Sequence, residues 1–209
     1  MARYTGPVCR LCRREGQKLF LKGERCHGPK CPLERKGYPP GEHGNQRRGR
    51  RRPSDYALQL REKQKLRAIY GLQERQFRRY VRQAVKSKAV TGHMLLSLLE
   101  RRLDSVLRLG GLAASQSQAR QLVRHRHIAV NGRVCDIPSR VVREGDVIEV
   151  REGSRDLQPV VEAISRGYDS PNWLQVDPDS RTIEVTRLPE PDDINVDIDE
   201  QQVVEFYAR

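Results

Sequence analysis

The middle of the chain places hydrophobic residues at every third or fourth position, which is typical of helices with one buried side. Ser54 is a suitable N-cap, and the pattern predicts a helix from there to Tyr70, with a stop at Gly71. The same spacing predicts a second helix over about 73–85 and a third over about 92–107. The first hundred residues are therefore expected to be mostly helical.

From residue 115 onward the pattern predicts short helices and short strands. Ser115 and Gln118 form a capping box that predicts the start of a short helix. Asn131-Gly132, next to a strand predicted at 128–130, is typical of a type I′ hairpin turn. Other elements are predicted at 147–150 (strand), 156–165 (helix), 173–176 and 182–185 (strands that extend the same sheet). The predicted fold class is α+β: a mostly helical N-terminal domain and a small module of helices and antiparallel sheet.

Composition indicates a polyanion as the partner. The 209 residues hold 40 Lys and Arg against 27 Asp and Glu, which gives a net charge of +13. No stretch approaches the roughly 18 apolar residues that span a bilayer, and no secretory signal is visible. These features predict an intracellular nucleic-acid binder with no membrane partner.

The charge is divided unevenly along the chain. Residues 1–150 carry a net charge of +21, whereas residues 151–209 carry −8. The basic part is expected to face the polyanion. The acidic part either faces a protein neighbour or neutralises the protein's own basic surface, and both interpretations stay open.

Four cysteines near the start have the spacing of metal ligands. Cys9, Cys12, Cys26 and Cys31 follow the pattern C-x2-C-x13-C-x4-C, in which each short pair can chelate one ion. The pattern predicts one structural Zn²⁺ and thus a zinc-bearing N-terminal domain. An iron–sulfur cluster, disulfides and plain buried thiols are the alternatives, and zinc is favoured over the cluster. Cys135 is predicted to be a small buried hydrophobic residue.

Cations surround these cysteines and continue into a segment without hydrophobic periodicity. The run Arg47, Arg48, Arg50, Arg51 and Arg52 predicts a basic arm that lies along phosphates. The other phosphate contacts predicted in the first hundred residues are Arg3, Arg10, Arg13, Arg14, Lys22, Lys30, Lys36, Lys63 and Lys65.

Several motifs together resemble one known family. The module carries Ser-x-x-Gln-Ala-Arg-Gln-Leu-Val from Ser115, His-Ile-x-Val-Asn-Gly from His127, Pro138-Ser139 and Gly145-Asp-x-Ile. It resembles the small RNA-binding module named after bacterial small-subunit ribosomal protein four. The resemblance covers essentially the whole chain, through residues 3–16, 38–44, 62–67 and 204–209. The four-cysteine form is similar to the metal-bearing branch of that family.

The resemblance implies a structural constituent of the small ribosomal subunit, in the cytoplasm, and not an enzyme. Family members bind 16S rRNA early in assembly by holding a multi-helix junction. They contact small-subunit ribosomal protein five at an interface linked to decoding accuracy, and they line the entry path of messenger RNA. No small-molecule substrate is expected.

The sequence also predicts the RNA contacts of the module and the bounds of the domains. RNA contacts are predicted in the module at Arg102, Ser115, Gln116, Gln118, Arg120, Arg124, His125, Arg126, Asn131 and Arg133. The predicted divisions are 1–53 (metal site and arm), 54–98 (helical part), 99–188 (RNA-binding module) and 189–209 (acidic segment that packs on the first domain).

The chain departs from the family pattern at three places in the module. Residues 108–113 read Arg-Leu-Gly-Gly-Leu-Ala where Tyr-Arg-Leu-Gly-Phe-Ala is expected, so no tyrosine role is transferred there. Gln116 stands where members have Arg, which weakens or removes one expected RNA contact. Arg126 stands where many members have Gly, so the chain loses the easiest left-handed residue but gains a cation.

Two other functions are alternatives. Pseudouridine synthases carry the same module and an Arg-Leu-Asp motif, which this chain has as Arg102-Leu103-Asp104. The motif lies inside a predicted helix of the module, where Asp104 is expected to be a solvated charge. A zinc-dependent regulator that binds DNA is the other alternative, but the basic arm and the sheet module favour RNA.

Overall fold

A computed structural model of the chain describes residues 3–45, 53–167 and 169–208. The chain forms two compact units, Met1–Gly92 with Asp197–Arg209 and His93–Val196. We call them the first and the second unit. Within the described ranges, none of the helices combines the length and the apolar character needed to cross a bilayer.

Helices precede the strands along the chain, and the strands follow from residue 128 onward. The helices are α1 (Cys9–Glu15), α2 (Pro32–Arg35), α3 (Asp55–Ile69), α4 (Glu74–Val85), α5 (Thr91–Glu100), α6 (Leu103–Leu109), α7 (Gln116–Arg124), α8 (Gln158–Ile164) and α9 (Glu200–Ala208). The strands are β1 (Ile128–Val130), β2 (Arg133–Val134), β3 (Val147–Val150), β4 (Leu174–Asp177) and β5 (Thr182–Val185). Short 3-10 helices lie at Gly23–Cys26, Glu152–Ser154 and Pro191–Asp193.

The first unit is built on α3. The Ser54 hydroxyl accepts a hydrogen bond from the Ala57 backbone N–H at 3.3 Å, which confirms the predicted N-cap. The C-terminal helix α9 packs along α3, and α1 packs on both α2 and α3. The last residues of the chain therefore complete the unit that the first residues begin.

The second unit holds a five-stranded antiparallel sheet in the order β2-β1-β3-β5-β4. The strands predicted at 173–176 and 182–185 do extend it, as β4 and β5. Asn131 and Gly132 both have positive φ, 52° and 72°, as the predicted hairpin turn requires. One hydrophobic cluster joins α6 and α7 to the sheet and includes Cys135 and Trp173. The fold is mixed helix and antiparallel sheet, as the sequence predicts.

The single helix predicted over 92–107 is wrong. The chain forms α5 and α6, which are separated at Arg101 and Arg102. Arg102 adopts an extended backbone (φ −69°, ψ 139°) and bridges to Val141. The Leu103 N–H donates to the Arg140 carbonyl at 2.8 Å, so this stretch follows a neighbouring segment instead of its own helix. Hydrophobic spacing alone could not reveal that interruption.

Candidate nucleic-acid interface

The four N-terminal cysteines span α1 to the start of α2: Cys9 and Cys12 lie in α1, Cys26 ends a 3-10 helix, and Cys31 is the N-cap of α2. Cys12, Cys26 and Cys31 are buried, Cys9 is half-buried, and all are free thiols. The Lys22 backbone N–H donates to the Cys26 sulfur at 3.3 Å. Burial raises the pKa of the Cys12 thiol, which a backbone N–H of Leu19 opposes. Backbone donors of this kind stabilise a thiolate.

The fit of a metal to this site is partial. Cys9, Cys26 and Cys31 all lie close enough to Cys12 to raise its pKa electrostatically. In the part of the chain that the structure describes, however, no group of three or more His, Cys, Asp or Glu side chains is arranged to hold a metal ion. The donor set and the N–H donors suit Zn²⁺, whereas the sulfur positions are not those of a bound site. The zinc site stays a prediction.

Arg13 is half-buried and bonds to a neighbouring loop, while its contact with RNA stays a prediction. Its Nε donates to the carbonyls of Lys36 and Tyr38 at 3.2 and 3.1 Å, and its guanidinium lies 4.9 Å from the Tyr38 ring centre. The other cations predicted in this part of the chain, apart from the arm, are exposed: Arg3, Arg10, Arg14, Lys22, Lys30 and Lys36. The arm residues Arg47, Arg48, Arg50, Arg51 and Arg52 lie outside the described residues.

Lys63 is also bonded within the protein, and its RNA contact stays a prediction. Its side chain is 6% exposed, and its Nζ lies 3.0 Å from Glu74 Oε2 and 4.5 Å from the Phe206 ring centre. Glu74 also pairs with Arg67 and accepts a hydrogen bond from the Tyr207 hydroxyl at 2.6 Å. The group therefore ties α9 to α3 and α4.

Lys65 is largely committed within the protein as well. Its Nζ pairs with Glu62 one turn earlier, and both side chains are 15% exposed. Only this small exposed fraction of the Lys65 side chain could reach a phosphate, and the RNA contact of Lys65 stays a prediction.

A buried ion pair lies at the start of α6. Arg102 is fully buried and donates two hydrogen bonds to Asp104, at 2.9 and 2.6 Å. Arg120 adds a third contact, 3.6 Å from the same carboxylate. Burial raises the pKa of Asp104, and both arginines oppose that shift. Asp104 is therefore not the solvated charge that the sequence predicts, whereas the RNA contacts of Arg102 and Arg120 stay predictions.

Polar residues at the start of α7 bond within the protein. The Ser115 hydroxyl accepts from the Gln118 N–H, which confirms the N-cap, while Gln118 Oε1 accepts from the Ala114 N–H. Gln116 is buried, and its Nε2 donates to the Ser105 hydroxyl at 3.2 Å. Ser115 and Gln118 therefore cap α7, Gln116 Oε1 has no partner among the described residues, and the RNA contacts of all three stay predictions.

Asn131 uses its side chain to build the hairpin. Its Nδ2 donates to Asp146 Oδ1 and its Oδ1 accepts from the Val147 N–H, both at 2.8 Å. Asn131 therefore has a role in the turn, and because the residue is exposed its RNA contact stays a prediction.

Exposed cations remain at the end of α7 and on the hairpin. Arg124, His125, Arg126 and Arg133 are all exposed, as the prediction requires. Arg126 has φ 63°, the left-handed conformation that Gly would adopt easily. Its carbonyl accepts a hydrogen bond from Arg151 NH1 at 3.1 Å, and its side chain is 71% exposed. We call these four residues the module edge.

His127 lies beside the module edge and is partly buried. Its Nδ1 lies 2.9 Å from the Ser154 hydroxyl. Burial lowers its pKa, and His125 and Arg151 add to that effect. Its ring centre lies 6.1 Å from that of His125.

Sequence reasoning missed the arginines of α4. Arg75, Arg78, Arg79 and Arg82 are exposed and line a shallow depression along the helix, with Glu74 at its end. They recur at i, i+3, i+4 and i+7, a spacing that the sequence already displays. The prediction of this helix rested on its buried aromatic side, Phe77 and Tyr80, and did not use the arginines on the other side.

Comparison with known proteins covers the whole chain. Residues 3–100 match the family described as ribosomal protein S4/S9 N-terminal domain, and residues 101–148 match the S4 domain. The small ribosomal subunit protein uS4A of Symbiobacterium thermophilum is 55% identical over 210 residues. The uS4 proteins of Thermus thermophilus and Natranaerobius thermophilus are 55% and 53% identical over 211 residues. Each alignment covers 100% of both chains. The chain therefore belongs to the uS4 family of small ribosomal subunit proteins.

Proposed function

We propose that this protein is a structural constituent of the small ribosomal subunit that binds the RNA of that subunit, in the ribosomes of the cytoplasm. The observation that carries the proposal is the full-length match to relatives named small ribosomal subunit protein uS4, at 55% identity. Fold alone would not assign a function, but identity of this extent over both units does.

Exposed cations in each unit support RNA as the ligand. The first unit presents Arg3, Arg10 and Arg14, and the second presents the module edge. Phosphate contacts release counterions and supply sequence-independent affinity. Folded RNA exposes phosphates and 2′-hydroxyls that such cations can recognise by shape.

The finer form of the proposal concerns the partners. The RNA would be a multi-helix junction of 16S rRNA, held by both units and the basic arm, whose binding starts assembly. Small-subunit ribosomal protein five and messenger RNA at its entry path would be neighbours, through which the protein contributes to translational accuracy. The acidic residues 151–209, with a net charge of −8, supply a surface suited to a basic protein neighbour.

A structural Zn²⁺ is part of the proposal. Cys9, Cys12, Cys26 and Cys31 would hold it as thiolates, and the N–H groups of Lys22 and Leu19 would stabilise the charge on the sulfurs. The ion would supply folding free energy to a segment with few apolar residues. Four protein ligands leave no position for a substrate, so the role would be structural.

A catalytic role finds no support at the Arg-Leu-Asp motif. Asp104 is fully buried and bonded to Arg102 and Arg120, so it cannot reach a nucleotide without breaking that pair. The DNA-binding regulator has no feature in its favour beyond the cysteines.

Footprinting tests the proposal. The purified full chain is titrated onto transcribed 16S rRNA, with and without a chelator, and backbone cleavage is mapped. We expect protection of one compact junction, with affinity that falls steeply as salt rises. Equal binding to duplex DNA, or protection spread evenly over the RNA, would contradict it. Loss of protection with chelator would support the zinc proposal, and unchanged protection and folding would contradict that part alone.

A further inference from the structure

The two sides of α4 differ sharply. Phe77, Tyr80, Val81 and Ala84 are buried, at 7% exposure or less. The other side presents Arg75, Arg78, Arg79 and Arg82, which extend over about 10 Å of helix. We call these four residues the α4 arginine face.

The α4 arginine face lacks nearby counterions. Among the described residues, none of its four arginines forms an ion pair with a carboxylate. Glu74 adjoins them, but its oxygens are engaged by Lys63, Arg67 and Tyr207. The positive charge of the face is therefore not neutralised locally.

A merely solvated helix side would look different. Solvated sides usually carry both signs of charge, with acids and bases three or four residues apart. One acid, Glu74, lies four residues before Arg78, but it already bonds to Lys63, Arg67 and Tyr207. The other charged neighbours of the α4 arginine face at this spacing are like charges, and each such pair destabilises the helix. An external anion would remove that repulsion.

The chemistry of the face favours phosphates on double-helical RNA. All four cations are Arg, whose planar guanidinium can donate two parallel hydrogen bonds to one phosphate. Sites for single-stranded RNA add exposed aromatic rings on which bases stack. Both aromatic residues of α4, Phe77 and Tyr80, are buried instead.

We propose that the α4 arginine face binds the phosphate backbone of a double-helical RNA segment. This inference rests on the proposed function and names a surface through which the first unit serves it. The face belongs to the first unit and the module edge to the second, so separate variants can test the two.

The salt dependence of binding to 16S rRNA tests the proposal. The variant R75Q/R78Q/R79Q/R82Q of the full chain is compared with the wild type between about 50 and 200 mM salt. Each lost phosphate contact should reduce the slope of log K against log salt by about 0.9. Four lost contacts make the affinity of the wild type fall about 100-fold more than that of the variant over this range.

Two further variants keep the result interpretable. The variant R75K/R78K/R79K/R82K retains the charges, so we expect it to keep the salt slope while losing the bidentate bonds and part of the affinity. The variant R166Q/R181Q/R187Q removes three charges that are paired with Glu162, Asp156 and Asp193, and we expect little change in slope. The quadruple Gln variant should melt at the wild-type temperature or above, because like-charge repulsion is removed.

The outcomes separate the two proposals. If the wild type binds 16S rRNA and the folded quadruple Gln variant binds it with the same affinity and the same salt slope, the α4 arginine face does not bind RNA. An equal change in the R166Q/R181Q/R187Q control would likewise overturn it, since net charge alone would explain the loss. If the wild type fails to bind the RNA, the proposed function itself is wrong.

Discussion

The two units are stabilised by different means. In the second unit, α6, α7 and the sheet share one hydrophobic cluster that includes the fully buried Ile128, Ile148 and Ile183. In the first unit, polar contacts add to buried apolar residues such as Leu66, Phe77 and Val203. These contacts join Arg61 to Glu15 between α3 and α1, and Lys63 and Tyr207 to Glu74. The cysteine segment adds three buried thiols in a polar surrounding.

This difference indicates how each unit depends on other molecules. Burial of apolar area stabilises a fold without any ligand, whereas a segment of thiols and cations needs neutralising partners. The second unit should therefore be stable alone, and the first should respond strongly to metal and pH. Trp173, the single tryptophan of the chain, is 1% exposed in the second unit and reports its unfolding selectively.

The largest expected effect follows from Cys12→Ser. If the zinc proposal holds, residues 9–36 lose a stabilisation that reaches about 10 kcal/mol or more in small zinc domains. Hydrogen exchange should show that these residues lose protection, while the Trp173 fluorescence midpoint stays unchanged. The matched control is Cys135→Ser, which lies in the second unit and should change the Trp173 midpoint instead. Unaltered exchange in residues 9–36 would contradict the prediction.

Asp104→Asn should destabilise the second unit by about 3–5 kcal/mol, because Arg102 and Arg120 would be left buried with reduced compensation. Urea unfolding followed by Trp173 fluorescence measures the change. Asp136→Asn removes an exposed partner of Arg126 at 3.6 Å and should cost less than about 1 kcal/mol. Equal effects of the two variants would show that burial of the Asp104 pair is energetically unimportant.

Glu74→Gln should destabilise the first unit by about 1–2 kcal/mol at neutral pH. Burial would raise the pKa of Glu74, but bonds from Tyr207, Lys63 and Arg67 outweigh it and lower the pKa below the ordinary 4.5. The carboxylate therefore stabilises the fold above that pH, and its contribution is lost as the pH falls through the lowered pKa. Hydrogen exchange of α9 measures this: we expect stronger protection in the wild type than in Glu74→Gln at neutral pH, and equal protection in acid. Glu42→Gln is the control, because Glu42 is exposed. A difference between the wild type and Glu74→Gln that persists in acid would contradict the prediction.

Arg126→Gly gives the smallest expected change and the opposite sign. Relief of the left-handed backbone should stabilise the second unit by about 0.5–1 kcal/mol. The same change should weaken binding to 16S rRNA and reduce the salt slope by about 0.9. Arg133→Gln is the control: we expect it to lose affinity for 16S rRNA to a similar degree but not to stabilise the second unit. A destabilised Arg126→Gly variant would show that the side chain contributes more to the fold than the backbone costs.

Strongly periodic elements could be predicted from the sequence. Helices α3 and α4 begin and end within a residue or two of the prediction, because Ser54, Gly71 and the apolar spacing all agree. The hairpin at Asn131-Gly132 followed from the need for positive φ at two successive residues. The RNA-binding module could be recognised from motifs of the same kind.

Burial of polar side chains could not be predicted. Arg102, Arg120 and Gln116 look like surface residues in the sequence, yet each is buried and bonds to a partner within the second unit. Their partners Asp104 and Ser105 become adjacent only because the chain breaks its helix at Arg102. Pairing that depends on tertiary structure leaves no local pattern, so a count of cations overestimates the RNA surface.

The packing of α9 on α3 has a consequence for the order of events on a translating ribosome. Residues 197–208 leave the exit tunnel after the whole second unit, so α3 must wait for its partner while 93–196 already emerge. The second unit can thus acquire its structure during synthesis, before α9 completes the first. A nascent chain that stalls before residue 197 would present a finished module beside an unfinished, strongly basic segment, the combination most prone to capture RNA prematurely.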